Sequence, residues 1–215
     1  MTYSIIVENI VKEFKDQRAL DNVSMSFEQG KIHGIVGRNG SGKTVLFKCI
    51  CGLMTPSSGH IIVGGKIIGK DIDVPENVGI IIEAPGFLPQ YSGYKNLKLL
   101  ADIKMTAKKQ DIINSMVQVG LEPNNRKHVG QYSLGMRQRL GIAQAIMENP
   151  DILILDEPMN GLDNAGVEDM RKLFLSLKEE GKTILLASHS REDIDVLCDV
   201  VYEMDKGHLI TRQQA

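Results

Sequence analysis

The chain has 215 residues, with 25 Lys+Arg against 27 Asp+Glu for a net charge of −2 with His neutral; hydrophobic residues make up 42% and charged residues 24%. This length predicts one domain with room for a small insertion, and the composition argues against long disorder. The charge balance gives no pull towards nucleic acid or anionic lipid, and the longest apolar runs, 152–155 and 184–187, are four residues each, against about 20 for a membrane-spanning helix. Met1-Thr2-Tyr3-Ser4 lacks the layout of a secretory signal. Three scattered cysteines, Cys49, Cys51 and Cys198, do not suggest a disulfide framework. A cytoplasmic protein is expected.

Residues 1–28 and 58–69 read as antiparallel strands, the second as a hairpin around Gly64-Gly65. Runs 32–36, 78–82, 152–155 and 183–187 are apolar, rich in Ile and Val and bounded by Gly, Asp or Pro, as buried parallel strands are. Residues 92–147 read as mostly helix. Leu97, Leu100 and Ala101 form one stripe; Ile112, Ile113, Met116 and Val117 form another, ended by Gly120 and Pro123. Val167, Met170, Phe174 and Leu177 mark a later helix closed by Gly181. Strand, helix and strand in succession imply right-handed crossovers. The expected fold class is α/β, with a parallel-sheet core and an antiparallel β edge in residues 1–86 and 148–215, and a helical lobe inserted at 87–147.

The strongest local signal is Gly37-Arg38-Asn39-Gly40-Ser41-Gly42-Lys43-Thr44, which matches G-x-x-x-x-G-K-[ST] at every fixed position. Glycines let successive backbone N–H groups curl around a β-phosphate, and the following helix turns its positive end to the same anion. Lys43 can reach the β- and γ-phosphates and the Thr44 hydroxyl can ligate Mg²⁺. A chance match in a chain of this length is on the order of 1%. A second element is the strand 152–155 followed by Asp156-Glu157, which delivers two carboxylates to the sheet edge where the phosphate loop lies. Asp156 would hold Mg²⁺ and Glu157 would act as general base towards the attacking water. An acidic pair capping a turn is the plainer alternative.

From about residue 3 to residue 210 the chain resembles the ATP-binding subunits of ABC transporters. Tyr132-Ser133-Leu134-Gly135-Met136-Arg137-Gln138-Arg139-Leu140 is similar to the family signature, Gly161-Leu162-Asp163 to its dimer-contact loop, and Ser188-His189 to its switch histidine. The resemblance implies head-to-tail dimers, of one kind of subunit or of two, sandwiching two ATP molecules. Ser133 and Gly135 would then contact the partner's ATP, His189 would hydrogen-bond the γ-phosphate and hold Glu157 and water in line, and Asp163 would organise the interface. Ser133 and Asp163 also read as ordinary helix caps. Phe14 falls where the family stacks an aromatic on adenine. Implied partners are a membrane permease, docked on the segment from Pro85 to Tyr94, and no nucleic acid. The buried thiols Cys49 and Cys51 receive no role.

Three positions depart from the common family pattern. Glu83, in Glu83-Ala84-Pro85-Gly86-Phe87, replaces a Gln that accepts to Mg²⁺ and donates to water or protein. A carboxylate can ligate the ion more strongly but repels the γ-phosphate. Leu134 and Met136 alter the signature around Ser133 and Gly135, and Val45 stands where a hydroxyl often follows Thr44, which removes one α-phosphate hydrogen bond worth about 1 kcal/mol. Glu83 and the signature variant resemble the branch that exports bacitracin or lantibiotics. The alternatives are a non-transport ABC ATPase acting on ribosomes or DNA and a P-loop kinase, the latter leaving the signature and His189 unexplained.

Overall fold

Period-two alternation along one sheet divides the apolar residues between two cores. In the computed structural model, which describes residues 2–15, 17–83 and 86–214, the strand order is β10 (His208–Gln214), β9 (Val200–Asp205), β3 (Ile32–Val36), β8 (Thr183–Ala187), β7 (Ile152–Asp156), β6 (Val78–Ile81). Strands β9 to β6 pair in parallel and β10 closes one edge antiparallel. Successive side chains point to opposite faces. Thus Ile32, Leu153, Leu155, Ile184 and Leu186 enter one core, while Ile35, Ile152, Ile154, Leu185 and Ala187 enter the other.

The second core is closed by Leu46, Phe47 and Ile50 of α1 (Lys43–Ile50) and by an antiparallel sheet. That sheet runs in the order β2 (Gln17–Glu28), β1 (Tyr3–Phe14), β4 (Ser58–Val63), β5 (Lys66–Ile67). The first core is covered by α2 (Gly93–Lys104), α3 (Lys109–Gln118), α4 (Leu134–Ile146), α5 (Asn164–Glu179) and α6 (Arg191–Leu197). Four of these begin at the side-chain caps that their sequences supply: Ser92, Ser133, Asp163 and Ser190 accept from the backbone N–H of Lys95, Met136, Gly166 and Asp193. Helix α4 lies directly on β6, close enough that a Cβ at Gly79 would collide with the Ala145 carbonyl.

The expected strands and the Gly64-Gly65 hairpin are present, and the three cysteines are buried and unbridged. The second helical stripe needs correction at Val117, which is exposed. The inner face of α3 carries Ile112, Ser115, Met116 and then Val119, and Val117 sits about 100° off that face. Ile82 falls just beyond β6. Helix α6 and the β9–β10 hairpin were not among the expected elements; Lys206-Gly207, both at positive φ, is the turn signal that marks the hairpin. Among the described residues no helix is long and apolar enough to cross a membrane.

Candidate functional site

The phosphate-loop sequence lies between β3 and α1 in a shape that only its glycines permit. Gly37 and Gly42 have φ of 154° and 107°. A Cβ at Gly37 would strike the Met204 carbonyl, and one at Gly42 would come 2.7 Å from the Ala19 carbonyl. The first-turn N–H groups of α1 have no intrahelical acceptor, so they and the helix dipole face the loop's interior. Lys43 is buried, its Nζ donating to the carbonyls of Gly37 at 2.6 Å and Arg38 at 3.2 Å. Burial lowers its pKa, against the opposing pull of Glu157 and Asp156. Ser41 Oγ is buried and has no hydrogen-bond partner among the described residues. The outer turn centres on Asn39 and Gly40, the latter at φ 79°, and is closed by Ser41 N–H donating to the Arg38 carbonyl at 3.1 Å, while Val45 packs beside the second core.

Strand β7 brings its carboxylates to this loop. Thr44 Oγ1 donates to Asp156 Oδ2 at 2.6 Å. Glu157 turns away with φ 51°, its N–H donating to the Ala187 carbonyl of β8. Its Oε2 accepts from the His189 backbone N–H at 3.3 Å. His189 Nε2 lies 3.1 Å from Oε1 without hydrogen-bond alignment, so among the described residues that buried oxygen is an unfilled acceptor. Burial raises the Glu157 pKa, the nearby His189 and Lys43 opposing it and Asp156 adding to it. A carboxyl so shifted is a better proton acceptor than an exposed one.

A cavity of about 760 Å³ runs from Phe14, through the loop at 40–45, to Asp156, Glu157 and His189, within the range of small-ligand sites. Phe14 is 45% exposed at the end of β1, with Lys12 Nζ 5.1 Å from its ring centroid. Glu83 lines the same cavity, but its Oε1 is held by Lys48 Nζ at 2.6 Å. Pro85, the first residue of the expected docking segment, and Ala84 before it lie outside the described residues. Beyond them Phe87 is half-buried against the first core, while Leu88 and Tyr91 are exposed.

Ser133 and Gly135 do not line this cavity; Leu134 and Gln138 reach its edge. The α4 N-terminus rests on the loop at 161–163, the Gly161 carbonyl standing 3.1 Å from where a Gly135 Cβ would be. Asp163 caps α5. Sequence reasoning assigned no role to Gln138, whose Nε2 donates to the carbonyls of Pro158 at 2.8 Å and Glu157 at 3.4 Å; its place inside the signature is the one sequence clue. It also missed Arg171. This guanidinium holds Asp193 Oδ1 at 2.9 and 2.6 Å, and Asp193 Oδ2 in turn accepts from Ser188 Oγ at 3.3 Å, directly behind His189. Nothing in a one-dimensional pattern pairs residues on two different helices.

Residues 20–160 match the family described as ABC transporter. The chain is 48% identical over 210 residues to the uncharacterized ABC transporter ATP-binding protein YybJ of Bacillus subtilis, covering 98% of this chain and 96% of that protein. It is 40% identical to the bacitracin transport ATP-binding protein BcrA of Enterococcus faecalis, over 98% of this chain and 69% of that one. It is 34% identical to the lantibiotic transport ATP-binding protein SrtF of Streptococcus pyogenes, over 97% and 90%. Its fold is that of the dimeric ABC transporter cassette MJ0796 (TM-score 0.88, 22% identity, 98% of each chain). It is also similar to cbiO1 of Clostridium perfringens, part of the ABC transporter complex cbiONQ (TM-score 0.85, 30% identity, 100% of this chain and 89% of that one). With the phosphate loop, the Asp156-Glu157 strand end and His189 gathered on one cavity, these matches establish that the chain belongs to the ABC transporter family, as one of its ATP-binding cassettes.

Proposed function

We propose that the chain binds and hydrolyses ATP to power a membrane permease, two copies (or one copy and a related subunit) closing over two nucleotides. The observation that carries this reading is one cavity with half-exposed Phe14 at one end and the Thr44–Asp156 and Glu157–His189 pairs at the other. Phe14 would stack on the base. The loop amides and Lys43 would hold the phosphates, the ammonium exchanging the Gly37 and Arg38 carbonyls for γ-phosphate oxygen. The donors fit magnesium: a hydroxyl and a carboxylate already 2.6 Å apart are hard oxygen ligands, and Mg²⁺ sites of this kind use few protein groups and rely on phosphate oxygens and water. Thr44, Asp156 and Glu83 would hold the ion, which when bound neutralises phosphate charge. Glu157 would take the proton of the attacking water through the oxygen that now lacks a partner, and His189 would fix both.

Ser133 and Gly135, standing off this chain's own cavity on a capped helix start, would serve the nucleotide of the second subunit, with Asp163 at the interface. The division into a nucleotide-binding core (1–86 and 148–215) and a helical lobe (87–147) belongs to the same reading: the lobe carries Ser133 and offers Phe87 and Tyr91 to a permease at the cytoplasmic face of the membrane. The likeness to BcrA and SrtF favours export of a peptide antibiotic as the work done.

The test is the elution mass of the Glu157→Gln variant with Mg-ATP. The substitution removes the base, and hydrolysis should fall by about 10²–10⁴-fold while nucleotide still binds. The expected result is a shift from the 23.8 kDa monomer to twice that mass, abolished by Ser133→Arg. A variant that hydrolyses ATP normally, or a dimer indifferent to Ser133→Arg, refutes the assignments.

A further inference from the structure

Lys48 and Glu83 carry an inference that rests on the reading of Glu83 as a metal ligand. Strand β6 ends at Ile81, and Glu83 then adopts φ 63°, left-handed backbone that a side chain-bearing residue seldom takes up. Its carboxylate is turned to α1, where Oε1 accepts from Lys48 Nζ at 2.6 Å. Lys48 stands one helical turn after Thr44, so the two side chains share a face at about 5–6 Å between Cβ atoms. Thr44 is itself bonded to Asp156. Lys48 therefore rises from the same face of α1 as Thr44, and its ammonium holds Glu83, a carboxylate that lines the cavity together with Thr44 and Asp156. The Lys48 and Glu83 side chains are 27% and 65% exposed, a setting in which ion pairs hold weakly and exchange readily.

We propose that Lys48 is a positioning residue for Glu83: a tether that holds the carboxylate off the metal position and gives it up only in competition with the ion. A free carboxylate there would repel the γ-phosphate of arriving nucleotide; a carboxylate held by Lys48 is neutralised until a dication competes for it. The chain thus sets its metal affinity by the balance between one lysine and the ion, a balance that the neutral Gln of other family members does not provide.

The test is the Mn²⁺ affinity of the full chain with a non-hydrolysable ATP analogue, read by electron paramagnetic resonance. Lys48→Met should tighten Mn²⁺ about two- to fivefold, the range expected from losing one exposed ion pair. Lys48→Arg, which keeps a cationic donor, should stay near wild type. Glu83→Gln should weaken Mn²⁺, and Lys48→Met should then change nothing when added to it. Affinity in Lys48→Met that is unchanged or weaker overturns the tether. So does a gain that persists beside Glu83→Gln, because that is a field effect not routed through the carboxylate. No loss in Glu83→Gln overturns the assignment of Glu83 to the metal instead.

Discussion

Replacing Arg171 by Met tests whether the loop carrying His189 is held by a buried ion pair. Met keeps most of the apolar stem and removes the guanidinium. The Arg171 and Asp193 side chains are 10% and 6% exposed, and three of the five hydrogen-bond donors of Arg171 are engaged, two on Asp193 and one on exposed Glu192. After the substitution the buried carboxylate of Asp193 keeps only Ser188 Oγ among side chains and has no cation. Removing one member of a buried pair leaves an uncompensated charge and costs about 3–5 kcal/mol; the exposed partner Glu192 adds little. At an m-value of about 3 kcal/mol/M the urea midpoint should fall by roughly 1–1.7 M. Adding Asp193→Asn removes the stranded charge while keeping an oxygen for Ser188, so the double variant should recover part of the loss, with a coupling of about 0.5–3 kcal/mol. Both variants should still bind nucleotide, and hydrolysis should drop because His189 loses its backing. A midpoint within 0.3 M (about 1 kcal/mol at that m-value) of wild type, or a double variant no more stable than Arg171→Met, would refute the reasoning.

Two more outcomes follow from the same geometry. Phe14→Ala should weaken ATP binding by about 1–3 kcal/mol, the worth of one base–aromatic stack, with a smaller change in the urea midpoint than a core substitution because Phe14 is nearly half exposed; less than a twofold loss of affinity excludes stacking there. His33 is fully buried on β3, its Nε2–H donating to the Glu28 carbonyl and its Nδ1 without a partner, against the rings of Phe27 and Tyr202. Burial lowers its pKa below 6.5, the Glu28 carbonyl and the charges of Glu28 and Asp199 opposing this. Below about pH 6.5 the unfolded chain binds a proton that the folded chain refuses, so stability is full above that pH and declines as pH falls towards the lowered value. Urea midpoints across pH 5–8 should show this slope in wild type and a shallower one in His33→Phe.

The parts of this protein that depend on local rules were legible in the sequence. The phosphate loop is a run of neighbours whose glycines and Lys-Thr pair act through backbone a few residues away, so residues 37–44 announce both their conformation and their ligand. The buried strands announce themselves because a strand covered on both faces must be apolar throughout, as at 152–155 and 183–187. The capping residues Ser133 and Asp163 sit immediately before the turns they satisfy. What stayed hidden was what packing decides where no motif speaks: Val117 lies off the buried face of α3, whose inner line is settled by what packs against it. Arg171 reads as a surface arginine until α6 lays Asp193 beside it, and Gln138 as a signature letter until the end of β7 meets it. Glu83 reads as a free ligand until α1 presents Lys48. The sequence by itself determined the fold class and the phosphate-binding loop, since hydrophobic period and glycine conformation are properties of the chain at each point. Only the tertiary structure decided which carboxylate meets which cation, because electrostatic pairing depends on distances between segments that no local pattern encodes.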